Sequence, residues 1–254
     1  MQMTDNTILI TGGGSGIGRA LAEAFHALGN RVIIAGRRQG VLDQTLAANP
    51  GMASAILDIE SPEAIVSFAA AMRADHPALN AVIHNAGIMR PERILDGALG
   101  DAEAMIATNL LGPIRLNAAL LPQLLAQPGA SIMTVSSGLA FVPLAATPTY
   151  CATKAAIHSY TQSLRYQLRE TAVQVLELVP PYVQTELMGP GQASDPNAMP
   201  LQDFITEVMG ILQSRPEATE ICVERVNPLR MAEANGAYAG VFQGLNGAWD
   251  AAGH

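Results

Sequence analysis

Short, nearly continuous apolar runs alternate along the chain with longer stretches whose apolar positions recur every three to four residues. A run that is apolar on both faces predicts a strand covered on both sides. A helical period between such strands predicts crossover helices, so the pattern reads as repeated βαβ units in a parallel sheet. The predicted strands are Asn6–Thr11, Asn30–Gly36, Met52–Asp58, Asn80–Asn85, Ala130–Ser136 and Val173–Val179, with a last one at Glu220–Val223. Helices are predicted over Ile17–Leu28, Pro62–Asp75, Asp101–Leu125 and Thr149–Glu170. The expected fold class is α/β, a doubly wound parallel sheet with helices on both faces, and residues 1–254 are expected to form one domain.

The rhythm breaks at "PPYVQTELMGPGQASDPNAMP", residues 180–200, which hold five prolines together with Gly189, Gly191 and Ser194. A long irregular segment in a compact domain is usually functional or disordered. A surface loop serving as a substrate lid is expected here, over about residues 183–214.

Composition narrows the function classes. The net charge is −8 and the arginines are scattered, so no basic stripe points to a nucleic-acid partner. Apolar residues make up 49% of the chain, yet no uninterrupted run nears the ~20 residues of a membrane span. The first residues, "MQMTDNTILITGGG", lack a basic region followed by an apolar signal core, and a cytoplasmic protein is expected. Cys151 and Cys222 form no CxxC pair and have no histidine at ligand spacing, which favours reduced thiols and no metal site.

Candidate chemistry begins where the first strand runs into "TGGGSGIGRALAEAF". Gly12, Gly16 and Gly18 stand between a buried strand and a helix, where glycine permits a tight turn and lets the backbone approach a phosphate at the helix N-terminus. With a second strand ending near Gly36, this context predicts a Rossmann-type dinucleotide site. NAD sites usually carry an acidic residue at the end of that second strand. Here "IIAGRRQG" places Gly36 there, followed by Arg37 and Arg38, which suit a 2′-phosphate, so NADP(H) is expected over NAD(H).

A second candidate is "TYCATKAAIHSY", residues 149–160. The chain has thirteen arginines and a single lysine, Lys154, four residues after Tyr150. On a helix these two stack on one face, and a tyrosine beside an ammonium is a possible acid/base pair. A surface lysine after a buried tyrosine is the plainer alternative.

Taken together, "TGGGSGIG" at Thr11, "HNAG" at His84, Asn109 in "IATNLLGPIRL", "TVSSG", "YCATK" at Tyr150 and "PPYVQTEL" at Pro180 resemble the short-chain dehydrogenase/reductase superfamily, in the compact branch with chains near this length. The wording "PPYVQTEL" most resembles the DltE-like oxidoreductase subgroup. The resemblance implies a fold of about seven strands and catalytic roles for Asn109, Ser137, Tyr150 and Lys154. Tyr150 would exchange a proton with a carbonyl or alcohol oxygen, Lys154 would lower the phenol's pKa and hold the nicotinamide ribose, Ser137 rather than Ser136 would bind the substrate oxygen, and Asn109, in a kinked helix, would hold a relay water. It further implies cofactor contacts from Ser15, Ile17, Asp58, Asn85, Ala86, Gly87, Pro180, Val183 and Thr185, besides the glycines, Arg37, Arg38, Tyr150 and Lys154. Asp58 could instead cap the next helix. A homo-oligomer, namely a homodimer, is expected.

Departures also count. His84 stands where an asparagine is usual, and a neutral histidine bonding to the backbone is expected. Pro181 stands where glycine is usual, and the end of the chain lacks the "TG…VDGG" pattern on which a tetramer would rest. The expected activity is carbonyl–alcohol interconversion by hydride transfer with NADP(H). A nonenzymatic dinucleotide sensor or scaffold, or a reductase of another double bond, stays open. Leu139, Phe141, Val142, Tyr182, Leu187 and Met188 are expected to border the substrate, predicting a small, mostly apolar carbonyl compound.

Overall fold

Residues Thr7–Thr11 are buried at all five positions and form β1, an interior strand of the sheet. The computed structural model describes residues 1–251, and the end of the expected 1–254 domain lies outside the described residues. After β1 come α1 (Gly16–Ala27), β2 (Arg31–Gly36), α2 (Gln39–Ala48), β3 (Ala53–Ile56), α3 (Pro62–Asp75), β4 (Leu79–His84), α4 (Gly100–Ile106), α5 (Gly112–Leu125), β5 (Ala130–Val135) and α6 (Pro148–Gln167). The chain continues through β6 (Val173–Val179), α7 (Pro190–Ala193), α8 (Leu201–Ser214), β7 (Glu220–Cys222), α9 (Asn227–Arg230) and α10 (Tyr238–Ala251). The seven strands lie in the order β3-β2-β1-β4-β5-β6-β7, and every neighbouring pair is parallel.

The alternation of side chains along a strand divides the interior into two cores. Ile8 and Ile10 of β1 face one side with Leu21 and Phe25 of α1 and Phe204 and Val208 of α8. Leu9 faces the other, with Phe68 of α3 and Leu116 and Leu120 of α5. Each wholly buried large apolar side chain contributes about 1.5–3 kcal/mol, so both faces anchor the sheet beneath the loops at its C-terminal edge.

Three helices depart from the sequence expectation. Only Leu42 and Thr45 of α2 are buried, too thin a stripe to show as a period. Residues 201–214, expected as half of the lid, are α8, whose Phe204, Ile205, Val208, Ile211 and Leu212 form an apolar face packed beside α1. The stretch Pro180–Pro200 is also not a plain loop: Val183 bridges Met199, and Gln184 N–H donates to the Met199 carbonyl at 2.8 Å. Finally, α10 lies near the end of the chain, where the sequence reading gives no helix.

The expected helix Asp101–Leu125 is interrupted by a π turn at Ala107–Leu111. Pro113 has no N–H for the carbonyl of Asn109, so the ladder of α bonds must break there. The 26 residues from Gly100 to Leu125 are also long and apolar enough to cross a membrane by length and composition, which a search for uninterrupted apolar runs misses because Asp101, Glu103 and Arg115 divide them. In the fold, Met105, Leu116, Leu120 and Leu124 are wholly buried in the cores.

Candidate functional site

Strand order reverses between β1 and β4, and in open α/β sheets ligands bind outside the carboxyl ends of the strands at such a point. The two loops there are stitched together. The Thr11 hydroxyl accepts from the backbone N–H groups of Asn85 and Ala86, both at 3.1 Å, and the Asn85 amide donates back to the Thr11 carbonyl at 3.1 Å. Gly12 and Gly16 adopt φ of +66° and +53°, a region side chains other than glycine's rarely enter. A Cβ on Gly18 would fall on the Gly12 carbonyl and the Asn85 amide, so this glycine seats α1 against the turn. No acidic residue lies in the first turn of α1, leaving its positive end toward the cleft.

That cleft has a volume of about 850 Å³, ample for an extended ligand. Its walls include Gly12, Ser15, Gly16, Ile17, Arg37, Arg38, Asn85, Ala86, Gly87, Ser137, Tyr150, Lys154, Pro180, Val183 and Thr185. Gly18 and Asn109 stand behind this wall. Asp58 lies outside it: its carboxylate accepts from the Glu60 N–H at 3.1 Å, and the cleft is lined there by Leu57 and Ile59. A positive-φ turn, the open end of a helix and two arginines in one cleft fit a dinucleotide.

At the other end of the cleft, α6 presents Tyr150 and Lys154 one turn apart, both buried. The Lys154 Nζ donates to the Val135 carbonyl of β5 at 2.8 Å and lies 5.5 Å from the centre of the Tyr150 ring. Ser137 caps the short turn after β5, its hydroxyl accepting from the Leu139 N–H at 3.1 Å, and it also hydrogen-bonds the phenol. Ser136 also borders the cleft, but its hydroxyl donates to the Leu178 carbonyl at 3.4 Å. Asn109, on the π turn, accepts from the Ile88 N–H and donates to the Ile88 carbonyl, both at 2.9 Å, and its amide reaches the Thr153 hydroxyl at 3.2 Å. It therefore clamps the loop after β4 to α6.

Electrostatics corrects one expectation. In the protein alone burial pushes the Tyr150 phenol above its ordinary value, and the Ser137 hydrogen bond only partly opposes this. The ammonium faces the ring rather than pairing with the oxygen, so it does not outweigh desolvation. The same burial pulls Lys154 down to about 8, against a weaker upward pull from Glu177.

His84 is neutral, burial pushing it down to about 4, but its partner is a side chain rather than the backbone: Nε2 donates to the Asn117 Oδ1 of α5 at 2.7 Å. Because the unfolded chain takes up this proton near 6.5 and the folded one only near 4, the stability this residue contributes is complete above pH 6.5 and is lost as pH falls toward 4. His84→Asn is expected to remove up to about 3 kcal/mol of that dependence. Urea unfolding of both proteins at pH 7 and 4.5 measures it, and parallel losses would refute the assignment.

Of the six residues expected around the substrate, Leu187 and Met188 line the cleft. Val142 is wholly buried, and Phe141 is held between the His158 ring at 4.7 Å and the Arg230 guanidinium at 4.5 Å. Tyr182 donates to Asp195 at 3.0 Å. Leu139 packs into the cluster around Tyr150.

Two acidic residues were not legible as site residues. Glu60 accepts from Arg37 and from the Thr108 hydroxyl, each at 2.8 Å, at the rim beside the cleft. Glu177, wholly buried on β6, receives bonds of 2.8 and 3.0 Å from His158 Nδ1, one turn beyond Lys154. A lone acid in the apolar run "VQVLELV" was the available signal. Glu220 beside it is held through both oxygens by Arg230.

Comparisons with known proteins agree with this geometry. A family model described as short chain dehydrogenase matches residues 6–195. The uncharacterized oxidoreductase DltE of Bacillus subtilis (strain 168) is 38% identical, over 97% of this chain and 98% of its own. Among solved structures, the closed form of a serine dehydrogenase complexed with NADP+ aligns with a TM-score of 0.74 at 27% identity, over 80% of this chain and 88% of its own. A short-chain dehydrogenase from Sphingobium yanoikuyae in complex with NADPH aligns with a TM-score of 0.78 at 25% identity, over 94% and 95%.

Proposed function

The chain belongs to the short-chain dehydrogenase family, with the DltE-like oxidoreductases as its relatives, and we propose that it interconverts an apolar ketone or aldehyde and its alcohol with NADP(H). The observation that carries this reading is the convergence of Ser137, Tyr150 and Lys154 on one end of a cleft whose other end is the glycine turn. A dinucleotide sensor needs the turn but no buried proton donor.

When bound, the nicotinamide supplies or accepts the hydride at the carbonyl carbon. The chain's own residues handle the oxygen. Ser137 Oγ and Tyr150 Oη hold the carbonyl oxygen, and Tyr150 gives its proton to that oxygen as negative charge develops there. A phenol pushed above its ordinary value is fully protonated at neutral pH and so begins as the acid that reduction requires. Lys154, charged below about 8, stabilises the phenolate left behind. Asn109 keeps the Gly87–Ile88 backbone and α6 in register around the pair.

For the cofactor, Arg38 is the main support of the NADP(H) reading. Its guanidinium reaches over the turn to the Ser15 hydroxyl at 3.5 Å, and no carboxylate stands at Gly36. Arg37 is partly engaged by Glu60. The test measures NADPH and NADH consumption with a panel of apolar carbonyls and the two affinities by calorimetry. Wild type is expected to prefer NADPH. Arg38→Ala is expected to weaken NADPH about tenfold or more while leaving NADH unchanged, as loss of a charge-assisted contact does, and Arg37→Asp is expected to act in the same direction. Equal losses for both cofactors would sink the preference.

A further inference from the structure

Helix α10 carries an apolar stripe at helical spacing, Tyr238, Phe242, Leu245 and Trp249. Its N-terminal pair stacks on itself, the Tyr238 and Phe242 rings lying 6.1 Å apart and nearly parallel. Its other pair does something different. Leu245 and Trp249 pack against the cluster built around Tyr150, which includes Ile88, Met89 and Met188, residues that also line the cleft. The helix is docked there by one side chain: Asn246 accepts from the Ala145 N–H at 2.6 Å and donates to the Pro143 carbonyl at 3.2 Å, both in the loop leading to α6. No residue of α10 is fully buried, so the helix adds little to the core while packing on the cluster that holds Tyr150.

We infer that α10 forms the outer, apolar wall of the substrate site, with Leu245 and Trp249 as specificity-determining residues and Asn246 as the residue that positions them. This rests on the proposed reductase reading and extends it. Leu187 and Met188 cover one side of an incoming carbonyl compound and α10 the other, so the site selects an extended apolar chain over small polar carbonyls. Removing a large side chain from such a wall costs tenfold or more in discrimination.

Trp249 is the only tryptophan, so intrinsic fluorescence reports on this helix alone. Acrylamide quenching is measured with NADP+ present, which cannot reduce a ketone, in the presence and absence of 2-decanone or glyceraldehyde, alongside NADPH-dependent turnover. Protection of Trp249 by 2-decanone but not by glyceraldehyde is expected. Trp249→Ala, which leaves the cores untouched, is expected to raise KM for 2-decanone about tenfold with a smaller change in kcat; Leu245→Ala is expected to do the same more weakly, and Asn246→Ala to make Trp249 more quenchable. Turnover of 2-decanone without protection, and with KM unchanged in Trp249→Ala, would overturn the role of α10 and leave the reductase reading standing. Protection without turnover would support the wall and refute the reductase. Neither protection nor turnover would overturn both.

Discussion

Replacing Tyr150 with phenylalanine is expected to lower kcat for carbonyl reduction by about 10³-fold, in the middle of the range a positioned proton donor supplies, while NADPH binding changes little. The substitution isolates one atom. The ring remains packed with Met89, Leu144 and Cys151, and Lys154 still lies over its face. Ser137 keeps its bond to the Leu139 N–H, so the turn after β5 has no reason to move. What disappears is the hydroxyl that Ser137 hydrogen-bonds. Folding stability is expected to change by no more than about 1 kcal/mol, the net worth of a single neutral hydrogen bond. NADPH oxidation with an apolar ketone, after calorimetry has confirmed cofactor binding in both proteins, gives the answer. A variant within tenfold of wild type would remove Tyr150 from its role as acid. The direction in which burial moves the phenol adds a second readout. Reduction by wild type should stay level across neutral pH, with no loss in the range where an ordinary histidine would titrate.

Much of this arrangement was legible in the chain because its signals are local. A continuous apolar run such as "TILIT" between turn formers reads as a strand covered on both faces, and glycines at 12, 16 and 18 answer backbone demands that other residues meet poorly. The interruption at Asn109 came only from the family resemblance, whereas the residues were read as one helix; Pro113 withholds the one N–H that the Asn109 carbonyl would need. The misreadings came from tertiary contacts that leave no periodic trace. Phe141 looks like a substrate wall in the sequence, but His158 and Arg230 claim it from elements farther along the chain. α8 was absorbed into the proline-rich lid because its breakers end only at Pro200, one residue before an amphipathic helix begins. α10 is apolar along one stripe yet buries nothing completely, and the cluster around Tyr150 on which Leu245 and Trp249 pack comes from segments far away along the chain. The Lys154 environment was the deepest miss. Sequence pairs it with Tyr150, whereas the fold adds the Val135 carbonyl and the wholly buried Glu177.

Lys154→Met should therefore produce a protein that is inactive and more stable. Burial pulls the ammonium from an ordinary 10.5 to about 8, which at 1.36 kcal/mol per tenfold change corresponds to about 3 kcal/mol spent holding the charged form at pH 7. The charge-assisted hydrogen bond to Val135 returns about 2 kcal/mol of that, so a methionine of similar length is expected to gain about 1 kcal/mol. The pH dependence fixes the sign. Between about 8 and 10.5 the unfolded chain keeps a proton that the folded chain has released, and wild-type stability rises with pH through that window. The advantage of Lys154→Met should therefore be complete below pH 8 and fade toward pH 10.5, as measured by urea unfolding at pH 7, 9 and 10.5. Turnover should fall by about 10³-fold, because the phenolate formed on Tyr150 loses the charge that stabilises it. A variant less stable than wild type at pH 7 would show that Glu177 already offsets the cost of the buried charge, and the lysine would then be structural as well as chemical. A chain that uses arginine at thirteen positions and lysine at one fits the first outcome: a buried cation that destabilises its fold is retained where the chemistry depends on it.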